Sequence, residues 1–168
     1  MNKDLHISVI GLALIEEFEK FVPHKYHGAD DAPGVMTIGW GHKILAGEVF
    51  AEPMTRECGD ALLRKDTLLA ELVVKKHVNA TTILSQNQFD ALVSLTFNTG
   101  YAVFVNRDKS DTHLTIALNS QNMPAAADAI LLFNHADGKV SNGLVRRRSE
   151  ERTLFLTPTL KSVSLATV

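Results

Sequence analysis

The apolar positions of residues 7–21 recur at helical spacing. Ile7, Ile10, Leu14, Phe18 and Phe21 form one stripe, and Leu12 and Ile15 form a lesser pair beside it. The pattern predicts an opening helix, capped by Ser8 or Asp4 and ended by Pro23. Residues 24–50 break this period. Gly28, Gly34, Gly39, Gly41 and Gly47 crowd around Pro33 and the run Val35-Met36-Thr37-Ile38. Glycines among β-formers predict a small, twisted antiparallel sheet with tight turns. After Pro53 the helical period returns almost to the end. Thr55 can cap a long helix carrying Ala61-Leu62-Leu63, Leu68-Leu69 and Leu72-Val73. Ser85 and Gln88 have capping-box spacing ahead of Phe89, Leu92, Val93 and Phe97, with Gly100 as a stop. Asp111 can open a short helix through Leu118, and Pro124 suits the first turn of another, over Ala125 to Phe133. A last helix runs from about Asn142 to Leu156 and ends at Pro158.

The expected architecture is α+β. A small hairpin sheet lobe and a mainly helical lobe are joined by the long helix from Thr55, with a cleft between them. Residues 1–157 are expected to form one domain, and residues 158–168 a tail with a mobile end. Composition agrees with this picture. A chain of 168 residues, 45% hydrophobic, can bury a core without disulfides. The single cysteine, Cys58, excludes an internal disulfide and a four-cysteine zinc site. A net charge of −2 gives no electrostatic case for nucleic acid as a partner. The apolar run Val9 to Ile15 is too short to cross a bilayer, so no stable membrane insertion is expected. No small-residue cleavage site follows it, so no secretory signal is read, and a cytoplasm is the expected place of synthesis.

Acidic residues gather at the helix-to-sheet junction: Glu16, Glu17, Glu19, Asp30 and Asp31. A carboxylic acid at a helix end facing a carboxylate on a hairpin is the arrangement glycoside hydrolysis requires. One group donates a proton to the leaving oxygen while the other acts on water or sugar. Periodicity does not choose among the glutamates. Glu17 lies nearest the main stripe, and Glu19 flanks Leu12 and Ile15.

Three ordered motifs narrow the choice. Gly11-Leu12-Ala13-Leu14-Ile15-Glu16-Glu17-Phe18-Glu19 leads to Tyr26 and then to Thr37-Ile38-Gly39-Trp40-Gly41-His42. Gln86-Asn87-Gln88-Phe89-Asp90-Ala91-Leu92 precedes Phe97-Asn98-Thr99-Gly100, and Gly143-Leu144-Val145-Arg146-Arg147-Arg148 precedes Glu151-Arg152 and Leu154-Phe155. Together they resemble the phage-type lysozyme (endolysin) family of glycoside hydrolases over residues 8–157. The resemblance implies a lysozyme-like fold and a cofactor-free, metal-free muramidase. The implied substrate is the β-1,4 bond between N-acetylmuramic acid and N-acetylglucosamine in peptidoglycan.

By the same resemblance Glu19 is the general acid, while Asp31 and Thr37 orient the attacking water in an inverting reaction. Asp30 is the rival of Asp31, because His27-Gly28-Ala29-Asp30 lengthens the usual spacing. Lys20 stands where the family usually has glycine. Arg147 corresponds to an arginine that pairs with the catalytic glutamate. His42 corresponds to a histidine paired with Asp66, a pairing expected to raise the histidine pKa and depress that of the aspartate. The resemblance also implies a monomer in the host cytoplasm, released to the periplasmic wall by a separate holin-like protein.

The same sequence admits other readings. Trp40 is a sugar platform or, more in keeping with a strand tryptophan, packing. Cys58, early in a helix, reads as a small buried thiol rather than a peptidase nucleophile. His24 and His27 lack a clear third zinc ligand. A lytic transglycosylase, or an inactive wall-binding protein on the same fold, remain the functional alternatives.

Overall fold

The computed structural model describes residues 2–28 and 33–158. Asp30, Asp31 and the expected mobile end, Thr159 to Val168, lie outside the described residues. A single 3-10 turn, Asn2–Asp4, precedes helix α1, Val9–Phe18. Ser8 caps α1 by accepting from the N–H groups of Ile10 and Gly11. The helix is shorter than its apolar stripe predicts. Its buried residues are Gly11, Leu12 and Ile15, and Ile10 is exposed. It ends before Pro23, at the extended C-cap residue Glu19. The lesser apolar pair is therefore the core face, and Glu19 continues it, four residues beyond Ile15.

Three strands follow: β1, Val22–Tyr26; β2, Thr37–Gly39; and β3, His42–Lys43. They form an antiparallel sheet in the order β1-β2-β3. Thr37 on the central strand pairs with Tyr26 on one side and Lys43 on the other. The β2–β3 turn depends on Gly39 and Gly41, with φ of +66° and +90°, which side chains rarely allow. Beneath the sheet lies a small core of Ile38, Met54 and Leu62, with Phe21, Ile44 and Phe50 against it.

Helix α2, Arg56–His77, is capped by Thr55 and spans 22 residues, about 33 Å. It joins the sheet lobe to the helical lobe. It buries Gly59, Leu62, Leu63, Thr67, Ala70, Glu71 and Val74, while Leu68, Leu69 and Leu72 are exposed. Cys58 is exposed too, contrary to the expected buried thiol, because it lies on the outer side of the first turn. Helix α3, Gln86–Thr99, has the expected capping box between Ser85 and Gln88 and stops at Gly100. It is the centre of the main core: Phe89, Ala91, Leu92, Val93 and Leu95 are fully buried. Helices α1 and α2 and the last helix, α6, Asn142–Leu156, pack around it.

Helix α4, His113–Asn119, is capped by Thr112 rather than Asp111. Helix α5, Met123–Ile130, is capped by Asn122 and ends short of Phe133. A hairpin of β4, His135–Ala136, and β5, Lys139–Val140, precedes α6, Asn142–Leu156. Its turn residues Asp137 and Gly138 both have positive φ, as an Asp-Gly turn requires.

The N-terminal segment is tied to distant parts of the chain. Asn2 donates to the Thr82 carbonyl at 2.6 Å and accepts from the Leu84 N–H at 3.0 Å. The buried Glu71 accepts from the Ile7 N–H at 2.8 Å and contacts His6 Nδ1 at 2.9 Å. Asp90 accepts from the Ser8 N–H at 2.9 Å and from its hydroxyl. At Gly11, a Cβ would lie 2.8 Å from Asp90 Cβ, so this glycine lets α1 approach α3.

Candidate active site

The extended C-cap backbone of Glu19 turns the chain from α1 towards the sheet. Its side chain lines a cavity of about 450 Å³ together with Gly41, His42, Lys43, Asp66, Phe97 and Asn98. Sheet lobe, connecting helix and helical lobe all contribute to this cavity. Gly41 brings the β2–β3 turn close: a Cβ there would sit 3.7 Å from Glu19 Oε2. The other oxygen, Oε1, accepts from Arg147 Nη1 at 2.7 Å.

Arg147 is 4% exposed and also reaches Glu151 Oε1 through Nε at 3.3 Å. Its neighbours go elsewhere. Arg146 lies at the surface and pairs with Glu17. Arg148 is fully buried, donating to Glu151 Oε2 at 2.8 Å and to Asn98 Oδ1. Ser94 donates to Glu151 Oε1 at 2.8 Å. Burial pushes the Glu151 carboxyl up despite the two arginines, and pushes the Arg148 guanidinium down. Three consecutive arginines thus have three environments, and a solvated basic face describes only Arg146. Sequence reasoning gave Glu151 no role, because a buried carboxylate reads like any helix glutamate until its partners are known.

His42 and Asp66 are in contact, Nδ1 to Oδ2 at 2.9 Å, and so β3 is tied to α2. A second carboxylate, Glu48, lies 2.8 Å from His42 Nε2 and also accepts from the Leu45 N–H at 2.9 Å. The Leu45 N–H first, then His42, hold the Glu48 carboxyl down at about 2. Asp66 departs from expectation: burial raises its pKa, outweighing the histidine's pull. The expectation counted the histidine alone and took no account of the half-buried position. Glu48 carried no periodic signal, since it acts from a loop beside Gly47.

Thr37 is buried at the head of the central strand and is not among the described residues that line the cavity. The structure brings Glu19, His42 and Asp66 to one cavity and joins Arg147 to Glu19. Trp40 is packing: it is 5% exposed, 5.2 Å from the Phe21 ring and under the Arg56 guanidinium, with Nε1 donating to Asp60 at 2.8 Å. His24 lies 3.8 Å from Glu52, and among the described residues no three His, Cys, Asp or Glu side chains are grouped to hold a metal ion.

A hairpin sheet and a helical body that share a long helix, with a carboxylate at the junction held by a buried arginine, define a lysozyme-like protein. The chain belongs to the phage lysozyme family, whose pattern matches residues 16–151. It is 38% identical to an endolysin of Bacillus phage B103 over 164 residues, 97% of this chain but 59% of that protein. It is 40% identical to the endolysin of Salmonella phage P22 over 129 residues, covering 75% of this chain and 83% of that one. Two solved structures have the same fold. The muramidase domain of SpmX from Asticaccaulis excentricus is 36% identical, with a TM-score of 0.74 over 92% of this chain and 99% of that one. A P22 lysozyme mutant is 35% identical, with a TM-score of 0.75 over 91% and 99%.

Proposed function

We propose that this chain is a muramidase that hydrolyses the β-1,4 bond between N-acetylmuramic acid and N-acetylglucosamine in bacterial peptidoglycan, for phage-driven lysis of the host. The observation that carries the reading is Glu19: a carboxyl at the mouth of the interlobe cavity, one oxygen fixed by buried Arg147 and the other beside the Gly41 turn. A fixed carboxyl at a sugar-sized cleft can protonate a glycosidic oxygen as the bond breaks. In this mechanism Glu19 is the general acid. Asp31 and Thr37 orient the water that attacks the opposite face of the sugar, which inverts the anomeric centre. Arg147 positions Glu19, and His42 with Asp66 holds the β2–β3 turn against α2. No cofactor or metal takes part.

Endolysin relatives from phages support the lytic setting. No described helix is long and apolar enough to cross a membrane. In the proposed setting the enzyme acts as a monomer held in the host cytoplasm until a separate holin-like protein admits it to the wall.

Mass spectrometry of digested peptidoglycan tests this. Hydrated muramic reducing ends are expected from the native chain, with at least a thousandfold loss of turnover in Glu19→Gln and a similar loss in Asp31→Asn. Anhydro ends would make the chain a transglycosylase. No cleavage by the folded native chain would leave a wall-binding protein.

A further inference from the structure

Glu19 also borders a second cavity, of about 290 Å³, on the side away from the sheet. It is lined by Asn98 and Arg147 and by Ser141, Gly143 and Leu144 at the start of α6. Two independent features set it apart. First, α6 is 15 residues long, yet the Ser141 side chain makes no capping hydrogen bond to its first turn. The amide N–H groups there carry the positive end of the helix dipole, about half an elementary charge. Second, Arg147 is 96% buried, and its Nη2 has no hydrogen-bond partner among the described residues. Its Nη1 and Nε are committed to Glu19 and Glu151. A buried guanidinium nitrogen carrying two N–H donors is seldom left unpaired in a folded protein.

We propose that this cavity is a carboxylate-binding pocket, in which Arg147 Nη2 and the first N–H groups of α6 donate to the two oxygens of one ligand carboxylate. Around it, Arg146, Arg147 and Arg148 are matched by Glu17, Glu19 and Glu151, so the side chains alone leave little net charge. The helix terminus then decides the sign, in favour of an anion. Gly143 keeps the floor open: the nearest atom to a Cβ there would be Ser141 Oγ at 3.8 Å. Because Glu19 borders both cavities, the pocket can be reached by a group carried on a ligand that lies in the main cleft. The ligand carboxylate comes either from the peptide carried by the glycan or from a small free anion. The first source rests on the function proposed above, and the binding chemistry does not.

Amide and guanidinium NMR spectra of the labelled native chain, titrated with sodium acetate and separately with the disaccharide-peptide product of peptidoglycan digestion, test this. The expected result is saturable shifts of the Asn142, Gly143 and Leu144 amides and of the Arg147 guanidinium. Saturation by the disaccharide-peptide at a tenfold lower concentration than acetate identifies the peptide carboxylate as the ligand; saturation by acetate alone identifies a free anion. Gly143→Asp supplies an internal carboxylate at a helix position that favours one, and is expected to weaken acetate binding at least tenfold in the same salt series. No saturable shift of these groups with either probe overturns the pocket. So does undiminished binding by a folded Gly143→Asp chain. Acetate binding is read without any cleavage, so a failure of the pocket and a failure of the muramidase reading remain distinct.

Discussion

His42 stands between two carboxylates whose pKa values move in opposite directions. Glu48 is held near 2 against an ordinary 4.5, so the native state releases its proton more readily than the unfolded chain. Its contribution to stability is full above about 4.5 and is lost as pH falls towards about 2. Asp66 is raised, so the native state holds its proton more firmly, and its ionisation lowers stability as pH rises through the interval above 3.8. A thermal melting series against pH is expected to show Glu48→Gln below the native chain at pH 6, with the gap closing between pH 4.5 and 2. A constant gap would remove titration from the explanation. His42→Ala strips both carboxylates of a partner and is expected to cost about 1–3 kcal/mol while leaving the chemical step the less affected. Comparing denaturant midpoints with turnover of peptidoglycan decides it. Glu151→Ala should cost more, about 3–5 kcal/mol, because Arg147 and Arg148 would remain buried without their shared carboxylate. The pairs of Glu151 with Arg147 and Arg148 have helical spacing, but the partnerships that cross between elements have no local signature. Ser94 meets Glu151 across 57 positions, and Asp66 meets His42 across 24.

Among the elements, the ends were more legible than the faces. Thr55, Ser85, Gly100 and Asn142 mark helix boundaries through chemistry confined to one turn, and the structure places boundaries there. The buried face of α2 was harder to read. Leu63, Thr67, Ala70 and Val74 follow the helical period closely, but two of them are small or polar, and the exposed leucines beside them carry the stronger apolar pattern. Thr67 bonds within its own helix and Glu71 is satisfied by the N-terminal segment, so polar residues occupy core positions at little cost. The hairpin at 135–140 was missed although its Asp-Gly turn is a local signal, because its strands are two residues each and exposed. Gly11 offers a test at this scale. Gly11→Ala would normally favour a helix, but its methyl would press on Asp90 and Ile7, so a loss of about 1–3 kcal/mol is expected by denaturant unfolding. A gain in stability would show that α1 and α3 can part without cost.

At the scale of the molecule, the candidate site draws on sequence positions far apart. Glu19 and Arg147, 128 residues apart, meet at 2.7 Å because α1 and α6 both pack on α3. The sheet lobe, by contrast, rests on its own small core and on α2. The order of the chain and the order of its structure therefore differ. Through Asn2, Glu71 and Asp90, the first helix is fastened to elements that come 60 to 90 residues after it. During synthesis, α1 leaves the ribosome before α3, the helix on which it docks. Leu12 and Ile15 stay uncovered until α3 has followed, and a chain truncated before Asp90 would expose them to aggregation and proteolysis however well its sheet had formed. The first helix of this fold finds its place only after the third has been made.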